Sequence, residues 1–322
     1  MVVRRAVSVL GVALTWLLLG EAAQGSVASS SAGRQPSVIA YGALTGGIFT
    51  IRPDGRGNRE ILPGSYRPVW SPDGARLLYD GGDGALWSAR ADGTAARPVV
   101  RPQDIRSGFP AAVFSTSDGT WSPSGKRVAF VAFSEDENEH SVYAICTARI
   151  DGSGLRKLRR GLDPEWFPDG RRIAFTDSRT RASRSNQIAV MRPNGRDRRV
   201  LLGDTRGFRH DLAVSPNGRK LAFIESSSLP GITLPFLRVM DLRTRRTRTI
   251  PVSKIGPVHA IAWTPGGTRI ASLITQPALG QRVPPSSVYT IRPDGTGRKR
   301  LFTLPFEERR GLWGEALSWQ PR

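Results

Sequence analysis

Cysteine is almost missing from this chain. Cys146 is the only one, so no intrachain disulfide can form, and no cysteine stands near the N-terminus to carry a lipid. It sits in the apolar run 142–148 and reads as a small buried hydrophobe rather than a reactive thiol. Histidine is nearly as scarce: with only His140, His210 and His259, a three-histidine zinc site would have to recruit all of them. Lysine is rare too, five of the 47 basic residues, which leaves a polycation built on arginine. The G-x-S-x-G pentapeptide of a hydrolase nucleophile elbow does not occur. Beyond the N-terminal segment, no apolar run reaches the roughly 20 residues of a membrane span.

What is present is enough for a sizeable core. Hydrophobic residues make up 39% and charged residues 23% of the 322 positions, which excludes a disordered tail and a multi-pass membrane protein. The 35 glycines and 24 prolines are spread along the chain, implying many turns and short elements rather than a helical bundle. The net charge of +20 would attract nucleic acid, anionic lipid or an acidic wall polymer through the same salt-screened field. Arginine tolerated on a solvated surface explains it equally.

The N-terminus has the layout of a secretory signal. Arg4 and Arg5 precede an apolar stretch from Ala6 to Leu19, and small residues follow through Ala22, Ala23 and Gly25. Residues 1–25 are therefore expected to be a leader and 26–37 a linker. Export makes a secreted, periplasmic or envelope location the expectation and argues against nucleic acid as the physiological target.

An internal repeat organises the rest. An anchor recurs as WSPDG at 70–74, WSPSG at 121–125, WFPDG at 166–170, VSPNG at 214–218 and WTPGG at 263–267, with spacings of 51, 45, 48 and 49 residues. A basic residue and an apolar triplet follow most copies, as in ArgValAlaPhe at 127–130. Between anchors lie IFTIRPDG at 48–55, LWSARADG at 86–93, ICTARIDG at 145–152, IAVMRPNG at 188–195 and VYTIRPDG at 288–295. Proline presets φ, Asp or Asn bonds back to the backbone and glycine accepts positive φ, so each repeat holds two tight hairpins. Four short strands per repeat of this length make one blade of a β-propeller. Residues 39–62 supply only three strands, and Leu317, Ser318, Trp319, Gln320 and Pro321 resemble a lone anchor strand. The sequence thus predicts an all-β, six-bladed propeller of four-stranded antiparallel blades over 38–322. Pairing of the N- and C-terminal strands in one blade would close it.

These anchors resemble the six-bladed propeller repeats of the TolB family, also seen in the propeller of prolyl oligopeptidases. TolB carries an additional α/β domain before its propeller; here about a dozen residues separate the leader from the first strand, so the resemblance implies a propeller-only relative.

In such a propeller the anchor turns and Pro-Asp-Gly turns emerge on one face. The long, unlike segments 101–117, 134–140, 226–235, 275–286 and 303–315 emerge on the other, where binding usually resides. Three residues before each anchor stand Arg67, Asp118, Asp163, Asp211, Ala260 and Ala316, with His210 and His259 four before and Glu165 two after Asp163. The expected place for this ring is the channel mouth on the loop face. Asp118, Asp163, Asp211, Glu165, His210 and His259 could bind a divalent cation there. Alternatively the carboxylates accept hydrogen bonds from their own connections, and the histidines pack between blades. Glu135, Asp136, Glu137 and Glu139 lack the glycine turn of a calcium loop and read as a solvated hairpin tip.

Basic residues concentrate in 149–210, with 16 Lys/Arg against 7 Asp/Glu, and in runs such as 156–160, 243–248 and 298–300 on expected outermost strands. They suit either protection of sheet edges or a polyanion site. The functional expectation is a monomeric, non-enzymatic exported propeller that binds a protein, an anionic envelope polymer or lipid headgroups. Its aromatics near the loop face, Phe109, Phe114, Phe208, Phe236, Phe306 and Trp313, could anchor a partner and could equally be core. The alternative is an exported hydrolase or lyase with a metal at the channel mouth.

Overall fold

The computed structural model describes residues 37–43, 46–105, 109, 112–135, 141–178, 186–203, 207–226, 235–252, 256–276, 286–304 and 316–321. The chain divides into Met1–Gln35, wholly outside these residues along with the expected leader, and Pro36–Arg322, which holds every element below. Apart from one turn of 3-10 helix at Pro102–Asp104, the regular elements described are strands. Among the described residues no helix is long and apolar enough to cross a membrane.

Twenty-four strands form six four-stranded antiparallel sheets. Blade 1 contains β1 (Ile39–Ala43), β2 (Gly47–Ile51) and β3 (Arg59–Pro63). Blade 2 contains β4 (Ser65–Trp70), β5 (Arg76–Gly81), β6 (Leu86–Arg90) and β7 (Arg97–Val100). Blade 3 follows with β8 (Val113–Trp121), β9 (Arg127–Glu135), β10 (Ser141–Arg149) and β11 (Arg156–Arg160). Blade 4 has β12 (Leu162–Trp166), β13 (Ile173–Ser178), β14 (Asn186–Met191) and β15 (Arg199–Leu202). Blade 5 has β16 (Phe208–Val214), β17 (Lys220–Ser226), β18 (Pro235–Asp241) and β19 (Thr247–Ile250). Blade 6 has β20 (Val258–Trp263), β21 (Ile270–Thr275), β22 (Ser286–Ile291) and β23 (Lys299–Thr303).

The last strand, β24 (Leu317–Trp319), pairs with β1 and becomes the innermost strand of blade 1. Trp319 Nε1 donates to Ser37 Oγ at 2.9 Å and Gln320 N–H to the Val38 carbonyl at 2.9 Å. The two ends of the chain thus fasten one sheet, which closes the ring and leaves no open blade.

The anchors make the hairpins their composition demands. Ser71 Oγ accepts the Arg76 N–H at 2.9 Å, and Ser122, Ser215 and Thr264 accept from Arg127, Lys220 and Arg269 in the same way. Gly74, Gly125, Gly170, Gly218 and Gly267 all take φ between +64° and +68°, where any side chain is strained. Two of the anchor tryptophans bind blade to blade: Trp121 Nε1 donates to the Val69 carbonyl of blade 2 and Trp263 Nε1 to the Ala213 carbonyl of blade 5. Apolar clusters fill the gaps between neighbouring blades. One joins Leu78 and Leu86 to Val128 and Phe130, and another joins Ala129 and Ile145 to Ile173 and Phe175. The six innermost strands β4, β8, β12, β16, β20 and β24 touch their neighbours in a closed circle.

Candidate functional site

The ring expected from anchor counting exists, and a backbone device creates it. The pairing of the innermost strand slips between Tyr66 and Val69, Ser117 and Thr120, Leu162 and Glu165, and His210 and Ala213. Inside each slip one residue turns left-handed: Arg67, Asp118, Asp163 and Asp211 have φ of 50°, 53°, 48° and 56°. Asp tolerates that conformation better than most residues, and an arginine held there is strained. Ala260 and Ala316, at the same position in the other two blades, carry no polar group.

The carboxylates mostly reach the next blade. Asp163 Oδ1 accepts the Asp211 N–H at 3.3 Å, and Asp211 Oδ2 accepts the Ile261 N–H at 2.7 Å. Glu165 accepts from Thr120 Oγ1 at 2.9 Å on one side and from the Val214 N–H at 3.4 Å on the other, tying blades 3, 4 and 5 together. Asp118 instead pairs with the Arg67 guanidinium of blade 2. Asp163, Glu165 and Asp211 thus latch neighbouring blades together by accepting backbone N–H groups, whereas Asp118 is held by an ion pair.

Burial sets their protonation. It pushes Asp211 and Glu165 up to about 7, against the pull of the Ile261 N–H on Asp211 and of the Thr120 hydroxyl and Val214 N–H on Glu165. Asp163 is also raised by burial and drawn back by His210. His210 and His259 are both held below the ordinary imidazole range by burial, and His259 Nε2 has no partner. Near neutral pH both imidazoles are therefore neutral, and the Asp211 and Glu165 carboxyls stand close to half-protonation.

Of the expected ligands, Asp118 pairs with Arg67, whose charge also reaches Asp163, His210 and Asp211; Glu165 and Asp163 act on Asp211, and His259 feels His210. Among the described residues no three His, Cys, Asp or Glu side chains are arranged to hold a metal ion. His140 and the acidic positions 136, 137 and 139 lie outside the described residues. Cys146 is fully buried, its thiol pushed up to about 12.

One residue of the site escaped the sequence reading. Asp80, on β5 beside the Arg67 bulge, is 8% exposed, its Oδ1 has no partner, and burial lifts it to about 7 against the pull of Arg67. The signal was available: the equivalent positions of other blades hold Val131, Thr176, Ile224 and Leu273, so Asp80 is the acid in an otherwise mostly apolar column.

The loop face also carries aromatic residues. Of the two roles open to them, Phe114 and Phe208 are exposed, Phe109 and Phe236 are half-buried, and Phe306 and Trp313 lie outside the described residues. Tyr143 and Phe133 were not anticipated: Phe133 lies opposite Tyr143 in the register, with ring centroids 5.1 Å apart, and Phe114 follows at 6.1 Å. The nine-residue strands of blade 3 carry this ladder.

No family model and no curated protein matches the sequence. Among solved structures, TolB from Acinetobacter baumannii superposes with a TM-score of 0.65 at 18% identity, over 89% of this chain and 67% of that one. A chain of a nidogen/laminin complex gives 0.63 at 14% identity, over 89% of this chain and 100% of that one. Oligogalacturonate lyase in complex with manganese gives 0.53 at 11%, over 79% and 70%. Identities this low speak for architecture and leave activity open. The chain has the six-bladed propeller fold seen in TolB.

Proposed function

We propose that this chain is an exported, non-enzymatic propeller that binds a protein partner on its loop face. The placement of its exposed aromatics carries the reading. Phe114, Tyr143 and Phe208 are 54%, 40% and 51% exposed, and each stands at the loop-face end of its strand. Large rigid aromatics held by a sheet bury much area at little entropic cost, which is the composition of binding hot spots. The left-handed ring beside them supplies hydrogen-bonding groups at the channel mouth. One of the similar structures, the nidogen/laminin complex, is itself a protein complex, which supports the fold's suitability for such a role. The leader expected at 1–25 supports a secreted or envelope location, and a monomer is the working form.

The test is capture from envelope extract with the mature protein as bait, run beside Phe114→Ser/Tyr143→Ser and Phe208→Ser baits. A retained protein that the variants lose at unchanged melting temperature supports the reading. Retention that is indifferent to all three substitutions would end it.

A second reading, a hydrolase or lyase with a divalent cation at the channel mouth, is favoured by one observation: buried carboxyls poised near neutral pH beside two neutral imidazoles. Asp163, Asp211, Glu165 and His210 would be the ligands, after rearrangement of the latches described above. Titration of the protein with calcium, manganese and zinc, followed by Tm, tests it; a shift abolished in Asp163→Asn supports the cation.

A further inference from the structure

We propose that the turn face, opposite the aromatics, carries an oxyanion site at Arg127, Arg149 and Arg156 that takes a phosphate group of an anionic polymer. This inference does not depend on the protein-binding reading above. Arg127 opens β9 and lies directly opposite Arg149, which ends β10. Arg156 opens β11 opposite Thr147, one diagonal step away. The strand pattern puts all three on the sheet face that packs toward blade 4, the face of Ala129, Ile145 and Leu158. Arg149 and Arg156 are exposed and Arg127 is half-buried.

Like charges placed directly opposite destabilise a sheet, and folding alone needs no such pair. Arg127 is pushed down by burial, by Arg149 and by Arg156, with no carboxylate opposing them. Its guanidinium donates to Thr147 Oγ1 at 3.4 Å, and Arg149 donates to Ser153 Oγ at 3.2 Å, both neutral acceptors. Asp151 feels Arg149 but spends its carboxylate on Ser153.

Other blades show what is absent here. In the anchor turn Asp73 acts on Arg76 in blade 2 and Asp169 grips Arg172 at 2.7 Å in blade 4, and in blade 5 Asp241, standing where Arg149 stands in blade 3, faces Lys220 at 3.9 Å. In blade 3 the anchor turn has Ser124 where blades 2 and 4 have those aspartates. The position that an internal carboxylate fills elsewhere is therefore left for an external oxyanion. Arginine forks match phosphate oxygens in pairs, and three of them suit a group with more charge and more acceptors than one carboxylate offers.

The cations recur around the same rim, which favours a polymer over a free ion. Arg76 lies opposite Arg90 with Arg97 diagonal in blade 2, although there Asp73 and Asp92 line the shallow cleft between the two turns and offset part of the charge. Arg269, Arg292 and Lys299 hold the three positions in blade 6, whose anchor turn has Gly266 in place of the acid.

The test is binding of the full chain to long-chain inorganic polyphosphate at low and high salt, followed by fluorescence and by Tm. Arg149→Glu/Arg156→Glu should weaken binding about tenfold or more and abolish the rise in Tm. Arg101→Glu/Arg160→Glu, with the same charge change at the loop-face ends of blades 2 and 3, should change affinity less than about twofold. An equal loss in that control would reduce the effect to net charge and overturn the site. Equal binding of polyglutamate would overturn the phosphate assignment. Binding only to phosphatidylglycerol vesicles, and not to soluble polyphosphate, would overturn the polymer.

Discussion

Replacing Asp80 by Asn should stabilise the protein in alkaline solution and leave it little changed in acid. The side chain is 8% exposed, Oδ1 is unpartnered, and its folded pKa is about 7, against about 3.9 for an unfolded aspartate. Between those two values the folded state holds a proton that the unfolded state has lost. Stability therefore falls as pH rises through about 4 to 7 and levels off above. Three units at ~1.36 kcal/mol each set a ceiling of ~4 kcal/mol on the wild-type loss, and relaxation around the charge brings the expected value to about 2 to 4 kcal/mol. Asn keeps the shape and cannot ionise.

His210 and His259 act in the opposite direction, because an imidazole held below its ordinary range gains stability as pH rises toward about 6.5. Comparing variant with wild type cancels them. Urea denaturation of both proteins at pH 4.5 and pH 8.5 gives the four free energies required. If the wild type and Asp80→Asn lose or gain the same stability between those conditions, Asp80 is not titrating as a buried acid and the reasoning fails. Success would carry a functional point: a residue that costs stability and sits beside the strained Arg67 is retained for the channel mouth, not for the fold.

Four further outcomes follow from the same geometry. Asp211→Ala strips the acceptor from the Ile261 N–H and should cost about 1 to 3 kcal/mol in urea melts, whereas Asp211→Asn, which keeps an acceptor, should cost less. Trp121→Phe loses the donor to the Val69 carbonyl and should lower stability by about 1 kcal/mol; Trp121→Ala should lose about 3 to 5 kcal/mol. Gly93→Ala is expected to be severe, since φ is +90° and a methyl would meet the Ile61 carbonyl oxygen at 2.2 Å; the check is soluble yield and Tm. Leu317→Ala, in the strand that closes blade 1, should cost about 2 to 5 kcal/mol and speed proteolysis at the C-terminus.

Much of the architecture was readable because it rests on local chemistry that repeats. The Pro-Asp-Gly and Ser-Pro-Asp-Gly turns fix hairpins by φ and side-chain bonds within a few residues, so strand count and blade count follow from spacing alone. Closure was readable from Trp319, an anchor without a following hairpin. The ring of Arg67, Asp118, Asp163 and Asp211 could be placed by counting from the anchors, because every copy shares one frame. What these side chains do could not be read, since their partners lie on other blades: the acceptor role of Asp211 is set by Ile261, 50 residues away. The arginine triad was hidden for a similar reason. Arg127, Arg149 and Arg156 come from three strands, and the basic runs had drawn attention to the outermost strand alone. Phe133 and Tyr143 meet only because blade 3 extends its strands to nine residues, a length that no local signal reports.

The two faces also differ in chemistry, and this separation is testable in itself. The loop face has the exposed aromatics and the channel mouth; the turn face has the arginines. Between them stand packed blades whose interface clusters and carboxylate latches leave little room for one face to repack in response to the other. Substitutions far apart and without shared partners usually add. Phe114→Ser/Tyr143→Ser should therefore leave polyphosphate affinity within about twofold of wild type, and Arg149→Glu/Arg156→Glu should leave partner capture equally untouched. The combined variant should lose both activities by the sum of the separate free energies. A departure of more than about 0.5 kcal/mol from that sum would mean that the faces are coupled, and the inter-blade latches at Asp163, Glu165 and Asp211 would be the first place to look for the connection.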